Sequence, residues 1–476
     1  VNVVGGWSFS ENKNKRDGYS VVGFNDDLHM NPAFSTGFTD GQKPNYSLER
    51  SRSTSFFMNV NYSFMNRYLM DFNVRSDGTS KFGANKRFST TWSVGLAWNL
   101  HNEEFMKSLG LFSNFKIRAS VGNPGNQNFD AYQAMKIYRY NVELQNMFGS
   151  SAIIDQFGNK DLDWQRTLDK NIGVDISMWR NRIRVTLDYY YKDTDPLLIS
   201  VPMPPSVGVG SINANAGRQL SWGWNGSIFG TVIQKKNLSW SLNANFRTSK
   251  SEYRDIGDKL NEFNELGSAQ NLVRYYEGAS PDDMWAVPSL GIDPATGAEM
   301  FRKKDGSQTF IYSTADEVVV GCSRPDVEGV IGSSFYYKGF SASVNFRYRL
   351  GGEVMASALY SKVENLSKEQ IYYNQDKRAL YDRWQKPGDK AKFKSIKDNS
   401  ATPMSSRFVR TENTFSGESI YIGYEYSGAW IKKIGAEGVT FRAYMNDIFR
   451  VSSFKEERGT DYPFARTVSF SLSLRF

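Results

Sequence analysis

The 476-residue sequence predicts an all-β fold, a transmembrane antiparallel β-barrel with about fourteen strands and long loops on one side. Three observations support this prediction. Segments of about ten residues alternate apolar and polar side chains, which is the period of a strand with two different faces. The connections between these segments alternate between short and long. No apolar run approaches the roughly 18 residues of a membrane-spanning helix, and the mean hydropathy is −0.52.

The strand pattern is clearest at the C-terminus, in RTVSFSLSLRF, residues 466 to 476. Phe470, Leu472 and Leu474 alternate there with serines, so one face of this strand is apolar and the other is polar. The same template, applied along the chain, predicts strands that start near residues 1, 53, 68, 89, 114, 171, 182, 219, 237, 327, 340, 419, 437 and 466.

Tight turns connect several of these strands in pairs. MNR, WRN, QKK and KG follow the second, sixth, eighth and tenth strands, whereas most odd-numbered strands are followed by roughly 26 to 80 residues. LHNEEFMKSLGLFS is expected to be the only longer connection on the short side, with a small amphipathic helix at EEFMKSL. The short turns therefore lie on one side of the sheet and the long loops on the other.

This asymmetry is typical of an outer-membrane β-barrel with an apolar outer face and a polar lumen. Eleven residues at about 3.3 Å each, tilted by about 45°, cross roughly 25 Å, which matches the apolar band of such barrels. Aromatic residues at strand ends are expected to form a girdle at the headgroups; they are Phe64, Tyr68, Trp92, Trp98 and Phe476. A soluble β-sandwich or propeller array is the alternative, but its inward face would be the apolar one.

Composition excludes several classes of function. The net charge of +8, from 58 basic and 50 acidic residues, is expected to be spread over strand faces and loops, so no nucleic-acid partner is predicted. A single cysteine, Cys322, excludes internal disulfides, and His29 and His101 are too few for a metal site. Neither a catalytic triad nor a phosphate-binding loop is recognisable. We therefore expect no enzyme, no cofactor and no metal, and we interpret the paired aspartates as solvated loops rather than a Ca²⁺ site.

Seven strings along the chain resemble one family. They are YLMDFNVRSDGTSKFG (68 to 83), KIRASVGNPGNQNF (116 to 129), LDWQRTLDKNIGVDI (162 to 176), YYYKDTDPLL (189 to 198), GIDPATGAEMF (291 to 301), RWQKPGD (383 to 389) and YPFARTVSFSLSLRF (462 to 476). In this order they resemble the C-terminal part of the SusC/RagA-like TonB-dependent outer-membrane transporters of Bacteroidetes.

The resemblance implies a barrel of twenty-two strands, preceded by a signal peptide, a TonB box and a plug. This chain shows none of the last three, so residues 1–476 are expected to be the C-terminal part of the barrel, its last fourteen strands. The number of strands agrees with this expectation. The first strand of this chain starts on the short-turn side, so an even number of strands can precede it, and a barrel of twenty-two strands needs eight. In the closed barrel the last strand would pair with the first, which leaves no exposed edge.

The resemblance also implies a function in the outer membrane, in contact with its lipid. This function is TonB-dependent import of oligosaccharides or oligopeptides together with a SusD-like surface lipoprotein. The residues leave open whether the substrate is a glycan or a peptide. A TonB-dependent siderophore or cobalamin receptor, a passive outer-membrane channel and a soluble β-protein that binds glycans remain alternatives.

Candidate binding residues follow from the strand faces and from the loop aromatics. In the strand after WRN, Val185 and Leu187 are predicted to face lipid, whereas the polar partners on the opposite face line the lumen. Polar side chains of this kind also serve to solvate the wall and to contact the plug, and loop aromatics suit sugar rings or the lipoprotein lid. The candidates are Arg118, Arg184, Asp188, Asn245, Arg347 and Arg349 on the wall, and Trp164, Trp285 and Trp384 in the long loops.

Overall fold

The computed structural model describes most of the chain, with short gaps. The described residues are 1–23, 31, 34–39, 44–80, 87–124, 136–159, 163, 165–203, 206, 208–215, 217–261, 264–265, 271–433, 435–454 and 465–476.

One 15-stranded antiparallel sheet dominates the described structure. Fourteen of its strands follow one another in chain order. The remaining strand, Lys250–Arg254, pairs with the start of the eighth strand. The fourteen are β1 (Asn2–Gly18), β2 (Asn45–Phe64), β3 (Tyr68–Thr79), β4 (Phe88–Asn99), β5 (Phe112–Asn123), β6 (Thr167–Met178), β7 (Ile183–Thr194), β8 (Arg218–Lys235), β9 (Leu238–Arg247), β10 (Val327–Tyr337), β11 (Phe340–Leu350), β12 (Thr414–Tyr426), β13 (Gly438–Ser452) and β14 (Val468–Arg475). Within the described part of the chain, β1 pairs only with β2 and β14 only with β13.

The predicted strands and most predicted turns are confirmed. Phe64 pairs with Tyr68 across MNR, Met178 with Ile183 across WRN, and Tyr337 with Phe340 across KG. The QKK prediction is off by one residue, because Lys235 pairs with Leu238 and the turn falls at Lys236 and Asn237. A bulge between Thr231 and Ile233 adds one residue to β8. The alternation of apolar and polar side chains does not reveal such an extra residue, because a bulge interrupts the two-residue period.

Two other expectations need correction. Strand β2 starts at Asn45 rather than near residue 53, since the polar run 45–52 pairs with the distal half of β1. The connection after β4 contains the expected helix, Glu104–Lys107, but it is not the only helical one on the short side. The connection between β12 and β13 also contains a helix, Ala429–Lys433.

The long connections carry further short elements. Their strands are Val21–Val22, Gly37–Phe38, Ile137–Asn146, Gly149–Gln156, Leu198–Pro202, Ser211–Asn215, Asp283–Ala286, Ser289–Ile292, Glu299–Arg302, Gln308–Thr309, Val318–Cys322, Glu353–Met355 and Val409–Thr411. The helical turns are Gly257–Leu260, Thr314–Asp316, Leu359–Glu364, Glu369–Tyr372, Arg378–Tyr381 and Ser406–Phe408, and one further turn, Leu100–Asn102, lies in the shorter connection after β4. Among the residues that the structure describes, none of the helices is long and apolar enough to span a membrane.

The register places large apolar side chains on one continuous face of the sheet. Trp98 lies opposite Ile117, and Phe441 lies opposite Leu472. All four side chains are solvent-exposed in the isolated chain. A soluble sandwich would bury this face, so the exposed apolar surface favours the membrane prediction over the soluble alternative.

The aromatic girdle is confirmed in part at the short-turn end. Tyr68 at the start of β3 stacks on Trp98 near the end of β4, with ring centroids 6.1 Å apart. Trp92, in contrast, lies in the middle of β4, opposite Val74 of β3. Its prediction as a strand-end residue was wrong, because four residues of β4 precede it and seven follow it.

Candidate functional site

The polar face of strands β4 to β9 lines a cavity of about 690 Å³. The cavity lies on the polar face, as expected for the face that lines a barrel lumen. Hydroxyl and amide groups supply much of the lining, including Ser120, Asn171, Ser221 and Asn225, and two of the predicted wall residues, Arg118 and Asp188, also line it.

Arg118 binds two carboxylates across neighbouring strands. Its Nε donates to Asp175 Oδ2 at 3.0 Å, and its NH2 donates to Asp188 Oδ2 at 2.8 Å. The register explains this contact, because Arg118 on β5 and Asp188 on β7 both lie opposite Gly173 of β6. A Cβ atom at Gly173 would fall 2.7 Å from Arg118 Cζ, so only glycine leaves room for the guanidinium to cross the strand.

The sequence predicted Arg118 and Asp188 separately and missed both Asp175 and Gly173. Asp175 could have been found from the pattern, since it lies on the polar face of β6 in the string NIGVDI. Gly173 could not, because its role depends on which strands are neighbours.

Other predicted wall residues lie along the same face but not in this cavity. Arg347 pairs with Glu418 beside a second cavity of about 580 Å³. Arg349 lies 3.6 Å from Glu328 and 3.9 Å from Glu412. These arginines are therefore neutralised within the wall.

The side chains of Asn245 and Arg184 make local contacts. The Asn245 side-chain oxygen accepts from the backbone N–H of Val330 at 2.9 Å. The Arg184 guanidinium lies over the Phe229 ring, 4.3 Å from its centroid. These contacts fit a solvated wall, and a role in substrate binding stays a prediction for all six wall residues.

The loop tryptophans take part in loop packing. Trp285 lies against Tyr276, with ring centroids 4.6 Å apart. Trp384 Nε1 donates to the carbonyl of Pro294 at 2.9 Å, and its ring covers Gly297. Their binding of a substrate also stays a prediction, and Trp164 lies outside the described residues.

Two long connections, 271–326 and 351–413, fold together into what we call the long-loop assembly. Within the second connection, Glu353–Met355 pairs with Val409–Thr411, and a bridge between Val287 and Ser405 joins the two connections. Around these strands lie apolar clusters, one of which contains Val363, Phe393 and Phe408. This assembly was not predicted from the sequence, because its segments have neither a strand nor a helix period.

Buried ion pairs hold the long-loop assembly together. Arg274 binds Glu317 through two hydrogen bonds of 2.7 Å, and both side chains are buried. Arg407 NH2 lies 2.8 Å from Glu299 and 2.7 Å from Glu364, so it joins both connections. Each pair spans segments distant in sequence, which explains why sequence inspection gave no signal for them.

Comparisons with known proteins agree with this geometry. The family model described as "TonB dependent receptor-like, beta-barrel" matches residues 4–291. The chain is 25% identical over 453 residues to TonB-dependent receptor P39 of Formosa agariphila, covering 84% of this chain and 43% of that protein. It is 27% identical over 467 residues to TonB-dependent receptor SusC of Bacteroides thetaiotaomicron, covering 90% of this chain and 44% of SusC. The chain thus spans less than half the length of these curated relatives.

The solved structure of the RagAB peptide transporter has the same fold. The TM-score is 0.80 at 22% sequence identity, over 95% of this chain and 50% of the matched chain. At this level of identity the comparison supports the fold of the sheet and of its connections.

Proposed function

The chain belongs to the TonB-dependent receptor-like β-barrel family, and we propose that it is the C-terminal barrel portion of a SusC/RagA-like outer-membrane importer. Members of this family lie in the outer membrane, which assigns the exposed apolar face of the sheet to lipid. The plug and the TonB box would belong to the rest of the gene product. The proposed activity is transport rather than catalysis.

One observation of the structure carries this proposal. The sheet has an apolar outer face and a polar, cavity-lined inner face, yet within the described residues β1 and β14 each have a neighbour on one side only. Unpaired backbone groups are costly in hydrocarbon, so a membrane sheet of this kind must close. We propose that further strands of the same protein lie between β14 and β1 and complete a barrel with a polar lumen.

We further propose that the cargo is an oligosaccharide or an oligopeptide, and that a SusD-like surface lipoprotein covers the long-loop side. The long-loop assembly supports the partner proposal, because it presents several exposed aromatic and apolar side chains, among them Ile371, Tyr372, Tyr373 and Tyr381. Exposed patches of this kind mark interaction surfaces.

Uptake by cells tests the import function. A strain that lacks this gene should fail to take up one labelled oligosaccharide or oligopeptide, and a strain that lacks TonB should show the same defect. Complementation with the intact gene should restore uptake only when TonB is present. TonB-independent uptake would favour a passive channel, and a defect limited to ferric siderophores or cobalamin would favour the other receptor class.

Surface proteolysis tests the orientation. On intact cells, protease should cut within 122–170, 249–326 or 351–417 and should spare the short turns MNR, WRN and QKK. Cleavage at the short turns in intact cells would invert the proposed topology.

A further inference from the structure

One segment of the chain has a local excess of positive charge. Residues 377–397 contain eight lysines and arginines but only two aspartates, whereas the whole chain has a net charge of +8. Five of the eight basic side chains, those of Lys377, Lys386, Lys390, Lys392 and Lys397, are exposed. This segment lies in the long-loop assembly and forms a locally basic part of it, although the assembly as a whole has as many acidic as basic residues.

A cavity of about 430 Å³ lies beside this segment. Four cationic side chains line it, those of Arg378, Lys392, Arg407 and Arg410, against a single lining carboxylate, Asp382. Its volume falls within the roughly 300–1,000 Å³ of small-ligand pockets. The cavity is therefore large enough for part of a ligand and has an excess of positive charge.

Three of the four cations already have carboxylate partners. Arg378 binds Asp376, Lys392 Nζ lies 3.3 Å from Asp382, and Arg407 binds the two buried glutamates described above. These pairs fix the shape of the cavity and leave little of their charge for a ligand.

Arg410 differs from the other three cations. It is exposed, its NH1 lies 3.3 Å from the carbonyl oxygen of Val409, and no carboxylate pairs with it among the described residues. The cavity thus offers one charged group, the Arg410 guanidinium, to an incoming anion.

The rest of the lining indicates what the anion is attached to. Ile292, Leu359, Phe393 and Phe408 line the cavity, and among the described lining residues there is no hydroxyl or amide side chain. The wall cavity is the opposite, since serine and asparagine make up much of its lining. A sugar acid needs hydrogen-bond partners for its hydroxyl groups, whereas a peptide can place an apolar side chain beside its carboxylate.

We propose that this cavity binds an acidic oligopeptide, with a carboxylate on Arg410 and a neighbouring apolar side chain against Ile292 and Leu359. This inference rests on the proposed import function and narrows its cargo to peptides with acidic and apolar residues. The basic surface of 377–397 raises the local concentration of such anions.

Binding to the purified full-length gene product in detergent tests the proposal. The probe is a fluorescein-labelled pentapeptide of alternating leucine and glutamate, and fluorescence anisotropy at low ionic strength gives its Kd. Arg410→Gln should raise the Kd about tenfold, the size expected for a lost charge-assisted hydrogen bond. Arg302→Gln is the matched control, because Arg302 is exposed in the same assembly and does not line the cavity. It should change the Kd less than about twofold.

A second peptide measures how much the carboxylates of the probe contribute to binding. With glutamine in place of glutamate, it should bind the wild-type protein about tenfold more weakly and should not distinguish wild type from Arg410→Gln. Equal effects of Arg410→Gln and Arg302→Gln, or equal binding of both peptides, would overturn the proposal. Displacement of the probe by oligogalacturonate as effectively as by unlabelled peptide would overturn the assignment to peptides.

The outcome is separable from that of the import proposal. If peptide binding is insensitive to Arg410→Gln while uptake still needs TonB, the cavity proposal fails and the import function stands. If binding depends on Arg410 but uptake does not need TonB, the cavity stands and the import function fails.

Discussion

The barrel wall and the long-loop assembly are stabilised in opposite ways. In the wall, Phe470 and Ile172 remain 67% and 63% exposed, and the strands are held by continuous backbone ladders. In the assembly, Phe408 is 1% exposed within an apolar cluster. The wall exposes its apolar side chains because its solvent is hydrocarbon, whereas the assembly buries part of its apolar side chains in clusters because its solvent is water.

Their ion pairs follow the same division. Arg118 and Asp175 on the wall keep roughly a third of their side-chain surface open to the lumen, whereas Arg274 and Glu317 in the assembly are 0% and 4% exposed. A pair that contacts water tolerates the loss of one partner, but a buried pair does not, because the remaining charge has no solvent. Mutations should therefore act very differently in the two regions.

The largest expected effect concerns closure of the wall. Residues 1–476 expressed alone should not refold into a heat-modifiable, protease-resistant barrel in detergent. The free edges of β1 and β14 would leave backbone groups unpaired at several kcal/mol each, a total on the order of tens of kcal/mol. Net stability is only about 5–15 kcal/mol.

The full-length gene product, refolded in parallel, should show heat modifiability on gel electrophoresis. A heat-modifiable barrel from residues 1–476 alone would replace the proposed partial barrel with a complete fourteen-strand channel.

The next effect concerns the buried pair of the assembly. Arg274→Met should destabilise the assembly by about 3–5 kcal/mol, because it leaves the Glu317 carboxylate buried without a partner. It also removes the donor to the carbonyl of Asn271. Hydrogen exchange should rise across 271–326 and 351–413, while the heat modifiability of the barrel stays unchanged.

Arg254→Met is the matched control, since Arg254 pairs with Glu252 on the surface of a short strand. It should cost less than about 1 kcal/mol. Arg274→Met combined with Glu317→Leu should recover much of the lost stability, because no lone charge is then buried. Equal effects of the two single variants would show that burial of the Arg274 pair does not matter.

A smaller effect separates the two faces of the wall. Leu187→Arg near the middle of the membrane should cost about 2–4 kcal/mol, since it places a charge in hydrocarbon. Arg184→Gln should cost at most about 1 kcal/mol, the value of its contact with the Phe229 ring. Reversible unfolding in detergent or lipid measures both, and labelling of a cysteine at position 184 by a lipid-soluble reagent would show that the face assignment is inverted.

The sequence predicts the wall well and the assembly poorly, for a physical reason. On the wall, the side-chain period is set by the strand itself, so the strings around Val185 and Phe470 reveal both the strand and its lipid face. In the assembly, Arg407 and Glu299 meet only because two connections fold against each other. Gly173 is an intermediate case, since it lies in a predicted strand but its role depends on Arg118 of the neighbouring strand β5.

The smallest effect concerns one loop carboxylate at the border between the two regions. Glu277 accepts hydrogen bonds from the backbone N–H groups of Ile256 at 3.0 Å and Asp255 at 3.1 Å. These bonds, chiefly that from Ile256, hold the pKa of Glu277 below its ordinary value. They stabilise a turn in which Asp255 has a positive φ of 56°.

Because the folded-state pKa is lowered, the stabilisation by Glu277 is complete above the ordinary glutamate pKa of about 4.3 and is lost as the pH falls through the folded-state value. We therefore expect the amide of Ile256 to lose protection from hydrogen exchange below about pH 4, after correction for the intrinsic exchange rate. Glu277→Gln keeps an acceptor oxygen but cannot titrate, so the protection should be lower at neutral pH and independent of pH. The amide of Val174 in β6 serves as the wall control and should keep its protection over the same range, because its bonds join backbone groups alone. A pH dependence that persists in Glu277→Gln would show that another group titrates and that Glu277 does not control the stability of the turn.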